Sequence, residues 1–382
     1  MELPQPRILI AGAGIGGLTL AIALRQNGTT AVIWEKAQAL REIGAGLLLT
    51  PNALWILQRL GLLEQACGAG RVIRQWEILS RSGTVLQTFR QNGELPSISV
   101  TRSAFQQMLL AKLPPEAVLL NHEVREVKHA SQGGTTSVTS AHGATYSPDL
   151  LVGADGGNST IRAAVGDARL PRALGYVGWR GLVSQVPTGW EDGRISESWG
   201  EGGRFGIAPV TAGRTYWYAT ENKLAGWNVP IEARKAHLLR RFRHWHAPVC
   251  DLIAATNDDD ILLSQISEQH TLRSWHRGSV TVLGDAAHLM SPNLGQGAAM
   301  AMEDAWVLAK CLREHGTGNA ALLHYEKLRR RRTSFIVWLS RQVGSLIQIE
   351  HPLLTVARDT ALRLTPDWIG TRSLTPVFNF RA

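Results

Sequence analysis

Cysteine is scarce in this 382-residue chain: there are three, Cys67, Cys250 and Cys311, far apart and outside any C-x-x-C spacing. That argues against a disulfide framework or a cysteine-based zinc site and suits a reducing cytoplasm. Long apolar runs are missing as well. The one stretch that imitates a signal segment or membrane span, Ile8 to Leu24, contains four glycines and reads instead as a strand, a turn and a helix. Neither an internal repeat nor a low-complexity linker is visible. No nucleic-acid module is legible despite a formal net charge of +9. The arginines are dispersed, so the charge is read as steering of small anionic ligands. What remains is ordinary globular material, 44% apolar, enough for one large domain and a second layer over it.

Three local patterns carry the chemistry. The first is Gly12-Ala-Gly14-Ile-Gly16-Gly17, placed directly after the strand Arg7 to Ala11 and opening a helix over Gly17 to Asn27. Gly12 permits the tight turn, Gly14 lets backbone approach a pyrophosphate, and Gly17 lets helix and strand pack closely. Glu35 ends the next strand, Ala31 to Glu35, where a carboxylate accepts hydrogen bonds from ribose hydroxyls; Lys36 is counted with it. An acid there disfavours a 2′-phosphate, which points to FAD or NAD rather than NADP. The second pattern is Gly153-Ala-Asp155-Gly156-Gly157-Asn-Ser159-Thr-Ile-Arg162 at the end of a strand from Asp149. Asp155 is assigned to the cofactor site, with a plain Asp-Gly turn as its alternative.

The third pattern decides the cofactor. After the strand Ser279 to Asp285 comes His288, then Pro292-Asn293-Leu-Gly295-Gln296-Gly297-Ala298 opening a helix to Leu312. Asp285 suits a polyol hydroxyl such as the ribityl chain of a flavin. Pro292 fixes the loop, and Gly295, Gln296, Gly297 and Ala298 present backbone N–H groups at a helix N-terminus, which favours negative charge at the flavin N1–C2=O edge.

These patterns, in this order and over nearly the whole chain, resemble the class A flavoprotein monooxygenases, closest in texture to alkylquinolone 3-hydroxylases and zeaxanthin epoxidases. FAD-dependent urate hydroxylases are similar too, but carry an acid where Asn293 stands. The resemblance implies an α/β fold: a discontinuous Rossmann-like FAD-binding domain, an antiparallel-sheet substrate domain and C-terminal helices, as in para-hydroxybenzoate hydroxylase. It also implies that Arg102 contacts the flavin and that the Val124 backbone meets the adenine. The implied reaction uses NADH or NADPH to reduce FAD, and a flavin C4a-hydroperoxide then hydroxylates or epoxidises an electron-rich aromatic or lipophilic substrate. Residues 1–70, 98–171 and 270–325 are assigned to FAD, 71–97 and 172–269 to the substrate layer, and 326–382 to a C-terminal helical segment.

Within the substrate layer, Arg204 is read as a partner for an anionic or carbonyl oxygen, with a surface position as its alternative. Tyr216 and Tyr218 alternate onto one strand face with Trp217 opposite. Tyr216 is divided between pocket and packing roles. His288 is read either as a proton shuttle near the flavin or, preferentially, as support for its loop. Trp179, Trp199 and Trp217 suit a flat ligand, with core packing preferred for each. The Phe335 to Ile349 stretch behind Arg329 to Arg332 offers weak membrane contact, with packing on its own domain preferred. A monomer or homodimer is expected. The competing activities are a reductase or dehydrogenase of the same fold, a halogenase, whose W-x-W-x-I-P signature is absent, and a pure binding module.

Overall fold

The computed structural model describes residues 8–40, 46–90, 93–129, 136–184, 187, 190, 193–223 and 226–380. Two sheets organise it, built in chain order from β1 (Ile8–Ala11), β2 (Val32–Trp34), β3 (Gln75–Ser80), β4 (Val85–Arg90), β5 (Val118–Leu119), β6 (Leu150–Gly153) and β7 (Arg172–Val183). They continue with β8 (Arg194–Gly200), β9 (Gly203–Pro209), β10 (Thr215–Asn222), β11 (Leu262–Glu268), β12 (His276–Arg277) and β13 (Val280–Val282).

The first sheet runs β12-β13-β6-β1-β2-β5 and is parallel except for the β12–β13 hairpin. β1 and β6 are buried at every position, as apolar runs covered on both faces must be. From β1 the chain passes into helix α1 (Ile15–Gln26), while β2 and β6 flank β1 on opposite sides. That is the topological switch point at which open α/β sheets bind ligands. Gly12 has φ +107°, and a Cβ there would strike the Ala154 carbonyl; one on Gly17 would strike the Gly12 carbonyl. Both glycines therefore serve the turn and the packing. The helix begins at Ile15, two residues before the expected Gly17, because Gly14 is extended and forms its N-cap. Arg7, the expected start of the strand, lies outside the described residues.

The second sheet runs β11-β7-β10-β9-β8-β3-β4. One face buries Trp179, Phe205 and Trp217 against Leu238, Phe242 and Ile253 of helices Ile231–Phe242 and Val249–Ala255. The other face looks toward the first sheet's ligand crevice. Helix α2 (Gly297–His315) ends at Gly316, where φ is +72°, and α3 (Asn319–Ile347) starts straight after Gly318. Because α3 runs unbroken through 326, the expected boundary there falls inside a helix. Helices α4 (Pro352–Leu364) and α5 (Asp367–Ser373) follow. No helix among the described residues is long and apolar enough to cross a membrane.

Candidate active site

Sheet register builds one wall of the site. Arg180 of β7 pairs with Tyr218 of β10, Tyr218 with Gly206 of β9, Gly206 with Glu197 of β8, and Glu197 with Ile78 of β3. Directly paired residues share a face, so Arg180, Tyr218 and Glu197 project together. Two residues along, the same face carries Arg204, paired with Thr220 and Trp199, and in the other direction Tyr216, paired with Leu182 and Ala208. Gly206 matters because a Cβ there would run into the Tyr218 ring.

This wall closes a cavity of about 530 Å³ whose opposite side is lined by Gly14, Asp285, Pro292, Gly295, Gly297 and Ala298 from the turns that follow strands of the first sheet, and by Arg102 at the start of the helix Arg102–Leu110. Arg180, Glu197, Arg204, Tyr216 and Tyr218 line it from the other side. Arg204 is 2% exposed, which corrects the surface alternative: every residue of β9 is buried, since this central strand is covered on both faces. Its Nη1 pairs with Glu197 Oε1 at 3.3 Å and its Nη2 donates to Asn293 Oδ1 at 3.0 Å. Tyr218 donates to the second Glu197 oxygen. Burial, reinforced by the charge of Glu197, pushes the Tyr218 hydroxyl far above its usual range. Burial also raises Tyr216, while Arg180, which donates to its hydroxyl, and Arg204 pull it back.

Several predicted contacts turn away from the cavity. Asp155 accepts from Ser159 Oγ at 2.5 Å and from the Ile161 N–H at 3.2 Å, so its carboxylate caps the following helix instead of facing the cavity; its neighbours Ala154 and Gly156 line the wall. Arg162 of the same pattern reaches the Ala286 and Ala287 carbonyls, both at 3.0 Å, and so fixes the turn that carries Asp285. The Gln296 side chain is likewise directed backward, to Thr50 at 2.9 Å and Asn52 at 3.0 Å, which leaves only its backbone for a ligand. His288 stands behind the loop and does not line the cavity. It lies 2.6 Å from Asp304 Oδ2 and against Trp275, because the fully buried Asp304 carboxylate needs donors behind the loop.

Trp179 and Trp217 pack behind the sheet, and Trp199 donates to Glu197 at 2.6 Å. Glu35 accepts from the Ala13 N–H at 2.8 Å and the Ala37 N–H at 2.9 Å, beside the glycine turn. Val124 is buried two residues beyond His122, whose N–H bonds the Glu35 carbonyl; Lys36 is exposed. None of these three lines the cavity.

The donor set fits FAD. Helices α1 and α2 both begin without a side-chain cap, so their first N–H groups stay available, and Gly14 has open space where a Cβ would be. Asp285 sits deep in the molecule yet opens onto the cavity; burial raises its carboxyl, with His288 and Arg102 partly offsetting. Two free helix ends separated by a carboxylate match a pyrophosphate, a polyol and the electron-accepting edge of a flavin.

That combination defines an FAD-dependent oxidoreductase. Residues 6–339 match the family model described as "FAD binding domain", and the chain belongs to that family, within the class A flavoprotein monooxygenases. It is 37% identical over 362 residues to the aurachin C monooxygenase/isomerase of Stigmatella aurantiaca, covering 94% of each. It is 32% identical over 369 residues to an FAD-dependent urate hydroxylase of Klebsiella pneumoniae, again covering 94% of each. The crystal structure of K. pneumoniae HpxO complexed with FAD and uric acid superimposes with a TM-score of 0.89 at 29% identity, covering 96% of this chain and 95% of that one.

Replacing Asp285 by alanine is expected to weaken FAD binding by about 1–3 kcal/mol, roughly 5- to 150-fold in Kd, through loss of a polyol contact. Flavin fluorescence titration of the apoprotein measures it, and an unchanged Kd would remove that role from Asp285.

Arg180 and Glu197 are the site residues that sequence reading missed. No local spacing announces them, since their place on the cavity face follows from strand register across four strands.

Proposed function

We propose that the protein transfers one oxygen atom from O2 to an electron-rich aromatic or heteroaromatic small molecule, using NADH or NADPH as reductant. The carrying observation is the cavity itself, with two free helix N-termini on one wall and a tyrosine- and arginine-bearing sheet face on the other. Bound FAD would supply the redox chemistry, passing electrons from the nicotinamide to O2 so that the second oxygen leaves as water. Gly14, Arg102, Asp285 and the Gly295–Ala298 backbone would hold it. The sheet face does the rest: Leu182, Ala208 and Ile195 exclude water, Tyr216 offers a hydroxyl from between two guanidiniums, and Arg180 offers charge. In this reading the first sheet serves the cofactor and the second the substrate. The three cysteines are free, which suits a reducing cytoplasm where nicotinamide is at hand.

Asn293 favours a substrate other than urate. Its Nδ2 is already committed to Tyr176, Ser291 and Ser340, and its Oδ1 accepts from Arg204, so it brings no charge to the cavity. The test is substrate-stimulated NAD(P)H oxidation under labelled O2 across aromatic, quinolone, purine and isoprenoid candidates. One labelled oxygen in the product is expected. Label arriving from water would reject oxygen transfer, and nicotinamide oxidation with no oxygenated product from any candidate would favour the reductase.

A further inference from the structure

The C-terminal helices carry a surface that the oxygenation reading does not use. Helix α4 buries Thr355 and Arg358 and leaves large apolar side chains in solvent, with Leu353 75% and Leu364 77% exposed. Leu353, Ala357, Thr360 and Leu364 follow at spacings of four, three and four, so they form one uncharged stripe directly opposite the buried pair. The amphipathic pattern is therefore inverted: the apolar side faces outward. Helix α5 continues it with Trp368, 65% exposed, and Ile369. On the outer side of α3, Phe335, Trp338 and Leu346 repeat the pattern, and the first two are in ring contact at 6.2 Å. Arg358 locks the helices together by donating to the Leu346 and Ile347 carbonyls of α3 and to the Gly200 carbonyl.

Charge identifies the occupant. Lys327, Arg331, Arg363 and Arg372 are exposed on these three helices and have no carboxylate partner among the described residues. The carboxylates from 327 onward are all engaged: Glu350 accepts from Asn222, Asp359 from Arg358, and Asp367 from the Thr88 N–H. A two-fold dimer through this face would bring together two sets of unpaired cations with no free carboxylate of the same helices to match them. Anionic phospholipid takes both the apolar stripe and the charge.

We propose that α3, α4 and α5 dock the protein on the surface of an anionic phospholipid bilayer. Gly370 of α5 packs on Gln87 and Phe89 of β4, and Phe89 contacts Trp76, a cavity-lining residue, at 6.2 Å between ring centroids, so the docking face and the cavity share one sheet edge.

The test uses FAD-loaded protein without substrate, so it is independent of oxygen transfer. Co-sedimentation with phosphatidylcholine vesicles containing phosphatidylglycerol is expected to exceed that with phosphatidylcholine alone by roughly tenfold or more, and to fall with added salt. The pairs Leu353→Glu with Leu364→Glu, and Arg331→Glu with Arg363→Glu, should each reduce it to the neutral-vesicle level while flavin absorbance and Tm stay at wild-type values. Equal sedimentation with both vesicle types, or wild-type binding by both double variants, overturns the proposal. So does a lipid-free dimer in sedimentation velocity that the leucine pair converts to monomer, since the face would then belong to a second copy.

Discussion

Replacing Arg329 by methionine is expected to lower unfolding free energy by about 3–5 kcal/mol, the usual cost of removing one partner from a buried ion pair. Arg329 is fully buried, with Nη1 2.6 Å from Glu303 Oε2 and Nε 2.7 Å from Asp304 Oδ1, and both carboxylates are fully buried as well. Without it, Glu303 keeps Arg332, and Asp304 keeps His288 and the Gly284 N–H. The loss should reach the cofactor. Glu303 also accepts from Asn52 at 2.7 Å, Asn52 holds Gln296, and Gln296 sits between Gly295 and Gly297 in the cavity wall. Urea unfolding at neutral pH, read beside FAD occupancy, measures both effects. A loss under about 1 kcal/mol with full occupancy would show that the network is not what holds this loop.

The same network sets an acid limit. Burial opposes ionisation of Asp304, but His288 and Arg329 outweigh it and hold the carboxyl at about 2 against an ordinary 3.8. A depressed carboxyl stabilises the fold above its unfolded value and loses that contribution as pH falls toward 2. In Arg329→Met the carboxyl rises, so acid unfolding should begin at higher pH than in the wild type. Coincident acid transitions for the two proteins would place the controlling group elsewhere.

What was legible in the sequence followed the range of the interaction that encodes it. The glycine turn after β1 is local, and Gly12 and Gly17 pack as their spacing requires. The alternation of Tyr216, Trp217 and Tyr218 is local too, because successive strand residues face opposite ways: Trp217 lies in the core behind the sheet while both tyrosines reach the cavity. Side-chain direction within a motif was harder. Asp155, Gln296 and His288 sit in patterns that suggest a ligand, yet Asp155 is taken up by Ser159 and Ile161 of its own pattern, while Gln296 and His288 are drawn to Thr50 and Asp304, which lie outside theirs. Hardest was register. Arg180 and Glu197 are 17 residues apart in number but four strands' width contributes to their shared row, and only the paired strands put both beside Tyr218.

Exchange of Arg180 for glutamine is expected to raise KM for an acidic substrate by roughly 10- to 150-fold, the equivalent of one charge-assisted hydrogen bond of about 1.5–3 kcal/mol. The reason is charge balance on the sheet face. Arg204 is matched by Glu197 and committed to Asn293, whereas Arg180 has no carboxylate partner among the described residues and donates to the Tyr216 hydroxyl. An aromatic ring whose oxygen is ionised is both more electron-rich and a better ligand for that unmatched guanidinium, so one interaction serves binding and reactivity together. Arg180→Gln should therefore bind FAD normally and release more hydrogen peroxide per product, because a poorly held ring is out of place when oxygen is delivered. Tyr216→Phe should show the same uncoupling with a smaller change in KM. Arg204→Ala should behave differently and lose stability, since it strands the buried Glu197. Steady-state kinetics, peroxide assay and labelled-oxygen yield on the substrate found by the oxygen-label screen separate these outcomes. Wild-type KM and coupling in Arg180→Gln, alongside their collapse in an Arg204→Lys protein of unchanged Tm, would assign the anchoring charge to Arg204.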